Sequence, residues 1–253
     1  TQRPLVDHNL VGREADLEWL QQTSGDRLLV GQPGCGKTFL LRHLVMQEWG
    51  LFLVDTDKMA IADAIRSQRP QVIIIDDAHD NPQLLSDLCQ LRREIDAEFS
   101  IVATSWQGDM EKIAMAMCLT SSQIRELDLL TRDQIVEVVR KAGLAGPVQL
   151  VHEILNQADG RPGLAVTLAL LCLQGDTDDV FYGDALSRSI SVTFQRLVGH
   201  AVNEILAVFS LGGDQGMPLD LVAEFLGISL GQLHNLMVRL AAGGVLREGY
   251  QGN

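Results

Sequence analysis

Gly31-Gln32-Pro33-Gly34-Cys35-Gly36-Lys37-Thr38 decides the fold of this chain. The stretch follows the apolar run Leu28-Leu29-Val30 and precedes a helical run that begins at Phe39. Strand, glycine-rich loop and helix in that order, closed by Lys and Thr, form a P-loop. Glycines let backbone N–H groups turn inward around phosphate oxygens, and the helix presents its positive end to the same oxygens. Lys37 is expected at the β- and γ-phosphates, and the Thr38 hydroxyl at Mg2+. The nucleotide-binding residues expected from the loop are Pro33, Gly34, Cys35, Gly36, Lys37, Thr38 and Phe39.

Outward from the loop, strand and helix signals alternate. Arg27 to Val30 reads as the first strand, 39–50 as the P-loop helix, 51–55 as a strand and 57–68 as a helix. Gln71-Val72-Ile73-Ile74-Ile75-Asp76-Asp77 is apolar on both faces, as a central strand of a covered parallel sheet must be. Helices at 82–95 and 110–117 and strands at 99–105 and 126–130 complete the pattern. Repeated units of this kind predict an α/β fold, a P-loop NTPase parallel sheet with helices on both faces.

Asp76 and Asp77 end the β-branched run at the carboxyl edge, where ligands of open α/β sheets sit. One carboxylate is needed for the metal and a second for the attacking water. Asp76 is assigned to Mg2+, and Asp77, with Lys37, to catalysis. His79 and Asp80 follow in what reads as a surface loop. Thr104 and Ser105 at the fourth strand end, and Arg125 before the last strand, are candidates for sensing the γ-phosphate. Thr104 and Ser105 read equally well as a polar strand end, and Arg125 reads more readily as a solvated cation.

From Thr131 the period changes. Thr131-Arg132-Asp133-Gln134 is a capping box, and helices at 148–158 and 164–173 follow. Residues 174–179 read as a linker. A helix at 194–211, short helices on either side of Gly227 and a hairpin at 245–250 describe a winged helix. The expected units are a P-loop domain at 1–130, a helical lid at 131–178 and a winged helix at 179–253.

Composition narrows the partners. With 46% hydrophobic and 21% charged residues the chain can bury an ordinary core. The longest apolar stretch, 164–173, is too short to span a bilayer, so no membrane partner is expected. Net charge of −13 opposes a surface built to neutralise phosphodiester backbone. Helix 229–242 carries Arg239 as its one fixed cation, which argues against DNA binding. Four scattered cysteines without a C-x-x-C pair read as reduced thiols, hence a cytoplasmic protein. The start at Thr1 and the stop after a candidate hairpin read as the core of something longer.

Val11-Gly12-Arg13-Glu14, the P-loop, Ile73-Ile74-Ile75-Asp76-Asp77-Ala78-His79, Gly160-Arg161-Pro162-Gly163-Leu164-Ala165 and a winged helix occur in that order. Together they resemble the STAND class of P-loop switch ATPases, which includes the NB-ARC proteins, over nearly the whole chain. The resemblance implies that Val11, Gly12 and Arg13 contact the adenine and that Pro162 packs on the base. It implies an ATP/ADP switch that rests closed with ADP, opens and self-associates with ATP, and resets by slow hydrolysis. The activating ligand or protein would act through a sensor domain missing from this chain. Where NB-ARC proteins often carry Arg after the fourth strand, this chain has Ser105-Trp106. Two alternatives stand beside this reading. One is an AAA+ ATPase of the DNA-replication-initiator type with a DNA-binding winged helix. The other is a fragment of a STAND transcription activator.

Overall fold

Five strands form one parallel sheet: β1 (Arg27–Val30), β2 (Leu51–Phe52), β3 (Val72–Ile75), β4 (Ser100–Ser105) and β5 (Ile124–Glu126). The computed structural model describes residues 10–181, together with 183, 204, 205, 207, 208, 211 and 217–242. The strand order is β2-β3-β4-β1-β5, with β4 inserted between β1 and β3. Leu29 aligns with Thr104, and Ile75 with Ala103. The insertion brings the carboxyl ends of β1, β3 and β4 together, where an open α/β sheet binds its ligand.

Apolar residues on both faces explain the layers. Leu28, Val30, Ile73, Ile75, Ile101 and Ala103 point to one side and meet Ile61, Leu85 and Ile113. Those belong to α3 (Lys58–Gln68), α4 (Pro82–Glu94) and α5 (Met110–Met117). Leu29, Val72, Ile74 and Val102 point to the other side, against Leu20, Leu40, Leu41 and Leu44. Those lie on α1 (Glu14–Gln22) and α2 (Lys37–Met46). Period-two alternation thus feeds two separate cores across one sheet.

Several boundaries differ from the sequence expectation. The P-loop helix stops at Met46, and Glu48 takes a left-handed φ of 57° two residues ahead of Gly50. The strand expected at 51–55 is limited to Leu51–Phe52. The last strand lies at Ile124–Glu126, not 126–130, because a short 3-10 turn, Ser121–Gln123, closed by the Thr120–Gln123 capping box starts it early. Leu127 and Leu130 are then freed to enter two different cores.

Beyond β5 lie α6 (Arg132–Lys141), α7 (Val148–Ala158), α8 (Pro162–Gln174) and α9 (Thr177–Phe181). The Thr131–Gln134 capping box is formed as expected, with the Thr131 N–H donating to Gln134 at 2.8 Å. The linker expected at 174–179 gives way to α9, because Val180 anchors it in the helical core with Ile135, Ile154 and Leu168. Two more helices, α10 (Leu219–Leu226) and α11 (Leu230–Ala242), flank Gly227. Val208, Val222, Ala223 and Leu233 form their small core. Apart from 204, 205, 207, 208 and 211, the helix expected at 194–211 falls outside the described residues, as does the hairpin at 245–250. Among the described residues no single helix is long and apolar enough to cross a membrane. Cys35, Cys89, Cys118 and Cys172 are all free thiols.

Candidate functional site

The P-loop joins β1 to α2, and its backbone carries out the turn that the sequence demands. Gly36 caps α2 at a φ of 103°, a region that side chains other than glycine rarely adopt. The Gly31 N–H donates to the Ser105 carbonyl at 3.2 Å, fixing the loop to the end of β4. Lys37 is buried, and its ammonium donates to the Gly31 carbonyl at 2.6 Å and the Gln32 carbonyl at 3.2 Å. The charge is therefore held at the mouth of the loop.

Asp76 is the centre of the second half. The Thr38 hydroxyl donates to Asp76 Oδ2 and the Thr104 hydroxyl to Asp76 Oδ1, each at 2.7 Å. Thr104 also accepts from the Asp77 N–H at 2.8 Å, while its carbonyl accepts from the Ala78 N–H at 2.8 Å. Asp77 adopts a φ of 52°, turning the chain sharply at the strand end. Hydroxyl and carboxylate oxygens held side by side are hard donors of the kind Mg2+ takes, so Thr38 and Asp76 fit that ion. Thr104 thus bonds the same carboxylate that Thr38 bonds, whereas Ser105 donates to the Trp106 carbonyl at 3.1 Å.

The Val11-Gly12-Arg13 segment also reaches the loop. Arg13 is buried, and its guanidinium donates to the Cys35 carbonyl at 2.9 Å and the Asp128 carbonyl at 2.6 Å. Asp16 holds it at 3.3 Å through one carboxylate oxygen and binds Arg125 at 2.9 Å through the other. Arg125 of β5, a candidate phosphate sensor by sequence, thereby pairs with α1. Val11 is buried, and Gly12 abuts the Gln134 side chain at the start of α6. One arginine therefore ties the phosphate loop to the segment that leads into the helical unit.

That unit returns to the loop at the start of α8. The Gly163 N–H donates to the Gly34 carbonyl at 2.9 Å. A Cβ at Gly36 would stand 3.4 Å from Pro162 Cγ, so Pro162 lies against the loop itself. Arg161 donates to the Gln32 side chain at 2.7 Å. Phe39 lies on the first turn of α2, half-buried, and Pro33 sits at the outer bend of the loop.

Three participants went unassigned in the sequence. Arg161 adds a cation at the loop, signalled only by its place before Pro162. Asp16 couples two arginines, and nothing in the local pattern of α1 distinguishes it. His79, read as a surface residue, has a side chain only 5% exposed and packs on Trp106 with ring centroids 4.1 Å apart. The left-handed turn at Asp77 folds the loop back, which is why His79 is covered.

No family model matches the chain, and no curated protein matches it. Solved structures do. A Thr-to-Val variant of Thermotoga maritima RuvB matches with a TM-score of 0.54 and 20% identity, over 96% of this chain and 91% of that one. A Pro-to-Gly variant of the same protein gives 0.53 and 19%, over 96% and 92%. Cdc6p from Pyrobaculum aerophilum gives 0.51 and 15%, over 98% and 85%. At these identities the likeness concerns the fold alone, a parallel α/β sheet of the P-loop NTPase type flanked by helices.

Proposed function

We propose that the chain is the nucleotide-binding core of a switch ATPase of the STAND type. ADP holds the lid closed on the P-loop; exchange for ATP separates the units 1–130, 131–178 and 179–253 and lets copies associate. The observation that carries this reading is the seating of the α8 N-terminus on the loop, Gly163 on Gly34 and Arg161 on Gln32. Lid and loop share hydrogen bonds, so a ligand that reshapes the loop acts on the lid directly. Such a ligand shifts the equilibrium only through unequal affinity for the two states.

Within the site, the loop N–H groups and Lys37 bind the phosphates of an adenine nucleotide. Val11, Gly12, Arg13 and Pro162 border the base. Thr38 and Asp76 would hold Mg2+, which would supply neutralisation of phosphate charge. Asp77 orients the attacking water and accepts its proton at the carboxylate, and hydrolysis is the slow reset. Free thiols and an acidic surface suit the cytoplasm. The test is mass spectrometry of nucleotide released from denatured purified protein. Recovered ADP supports the switch; nucleotide-free protein without ADP affinity removes it.

A second reading is a replication-initiator-type AAA+ ATPase whose winged helix binds DNA. The matches to RuvB and Cdc6p, which extend over 96% and 98% of this chain, favour it. Salt-sensitive retardation of duplex DNA in a mobility assay is its test, and no retardation at low salt would remove it.

A further inference from the structure

The His79 side chain is buried with neither ring nitrogen bonded. Nδ1 and Nε2 both lack a hydrogen-bond partner, and Asp80 Oδ1 stands 3.8 Å from Nε2, too far to accept. Burying an imidazole in this way is costly, and native structures rarely tolerate it without a use for the group. Its position is informative. His79 lies two residues beyond Asp77, and its ring packs on Trp106 at an interplanar angle of 37°. Trp106 immediately follows Ser105 and caps the 3-10 turn Gln107–Asp109. That turn is where α11 packs on the P-loop domain.

The ends of β3 and β4 are therefore joined at two levels. Thr104 and Asp76 join them at the metal site, at 2.7 Å. His79 and Trp106 join them one layer further out, directly beside the turn under α11.

We infer that His79 senses the terminal phosphate and relays nucleotide state to α11. A γ-phosphate oxygen, or the water beside it, offers the partner that the imidazole lacks. In taking it, His79 gives up its contact with Trp106 and loosens the turn Gln107–Asp109. ADP has no such oxygen, so His79 stays on Trp106 and α11 stays docked. The two positions of one side chain supply the bistable element that such coupling requires. This inference rests on the nucleotide site proposed above.

The test is hydrogen exchange on the full chain, saturated with Mg·ADP or with Mg and a non-hydrolysable ATP analogue. Calorimetry of both ligands runs alongside. In the native protein, exchange at 107–109 and 230–242 should quicken severalfold with the analogue relative to ADP. His79→Ala should keep its ADP affinity, lose about fivefold for the analogue, and show no difference in exchange between the two ligands. His79→Phe keeps a ring against Trp106 and removes both nitrogens; it should behave likewise and covers the case in which His79→Ala fails to fold. An exchange difference that survives in either folded variant overturns the relay. So does its absence in native protein that binds both ligands. Failure to bind any nucleotide would instead remove the proposed function itself.

Discussion

Gly163 donates its backbone N–H to the Gly34 carbonyl at 2.9 Å, which seats the start of α8 directly on the P-loop. A Cβ at 163 would stand 3.1 Å from that oxygen and 3.4 Å from Gly34 Cα, and both are backbone atoms that yield poorly. Gly163→Ala should lift the lid and lower ADP affinity about tenfold by calorimetry. An unchanged affinity would mean that the lid does not bear on the nucleotide.

Asp76 accepts from Thr38 and from Thr104 through different oxygens. Asp76→Ala removes the carboxylate that fits the metal while leaving the loop N–H groups in place. ADP binding should then lose its dependence on Mg2+, measured as the ratio of affinities with magnesium and with a chelator. A variant that still gains affinity from magnesium would place the ion elsewhere.

Asp77 sits at the sharp turn after β3, its N–H donated to Thr104. Asp77→Asn should retain nucleotide affinity and lose phosphate release, followed under single-turnover conditions. Normal turnover would show that another group handles the water.

Arg13 bridges the Cys35 and Asp128 carbonyls and is held by Asp16. Removing it leaves those buried acceptors short of a donor, so Arg13→Ala should cost about 2 kcal/mol in urea unfolding. Arg13→Lys should not restore the loss, since an ammonium lacks the planar fork that spans three acceptors. A lysine variant as stable as native protein would assign Arg13 a lesser role.

What was legible in the sequence follows from the range of each interaction. Continuous apolar runs such as Val72-Ile73-Ile74-Ile75 and the P-loop are local signals, and both stand where expected. The edge of β5 was misplaced because Leu127 and Leu130 look like strand residues, yet they serve two separate cores. Their apolar character was read correctly; their partition between cores is tertiary information. Residues 174–179 look polar enough for a linker, but burial of Val180 turns the segment into α9. Arg161 could not be connected to Gln32 because 129 residues separate them. His79 was misread because a left-handed Asp77, not composition, decides whether the loop faces water.

The Gly31–Thr38 loop is proposed to bind a nucleotide through Lys37, whose ammonium lies 2.6 Å from the Gly31 carbonyl. Titration calorimetry of Mg·ADP into native protein and Lys37→Ala tests it most directly. The account predicts one binding site in the native chain and, in a folded variant, affinity lowered at least about a hundredfold. Equal affinity in the two proteins, or no binding to the native one, would contradict it.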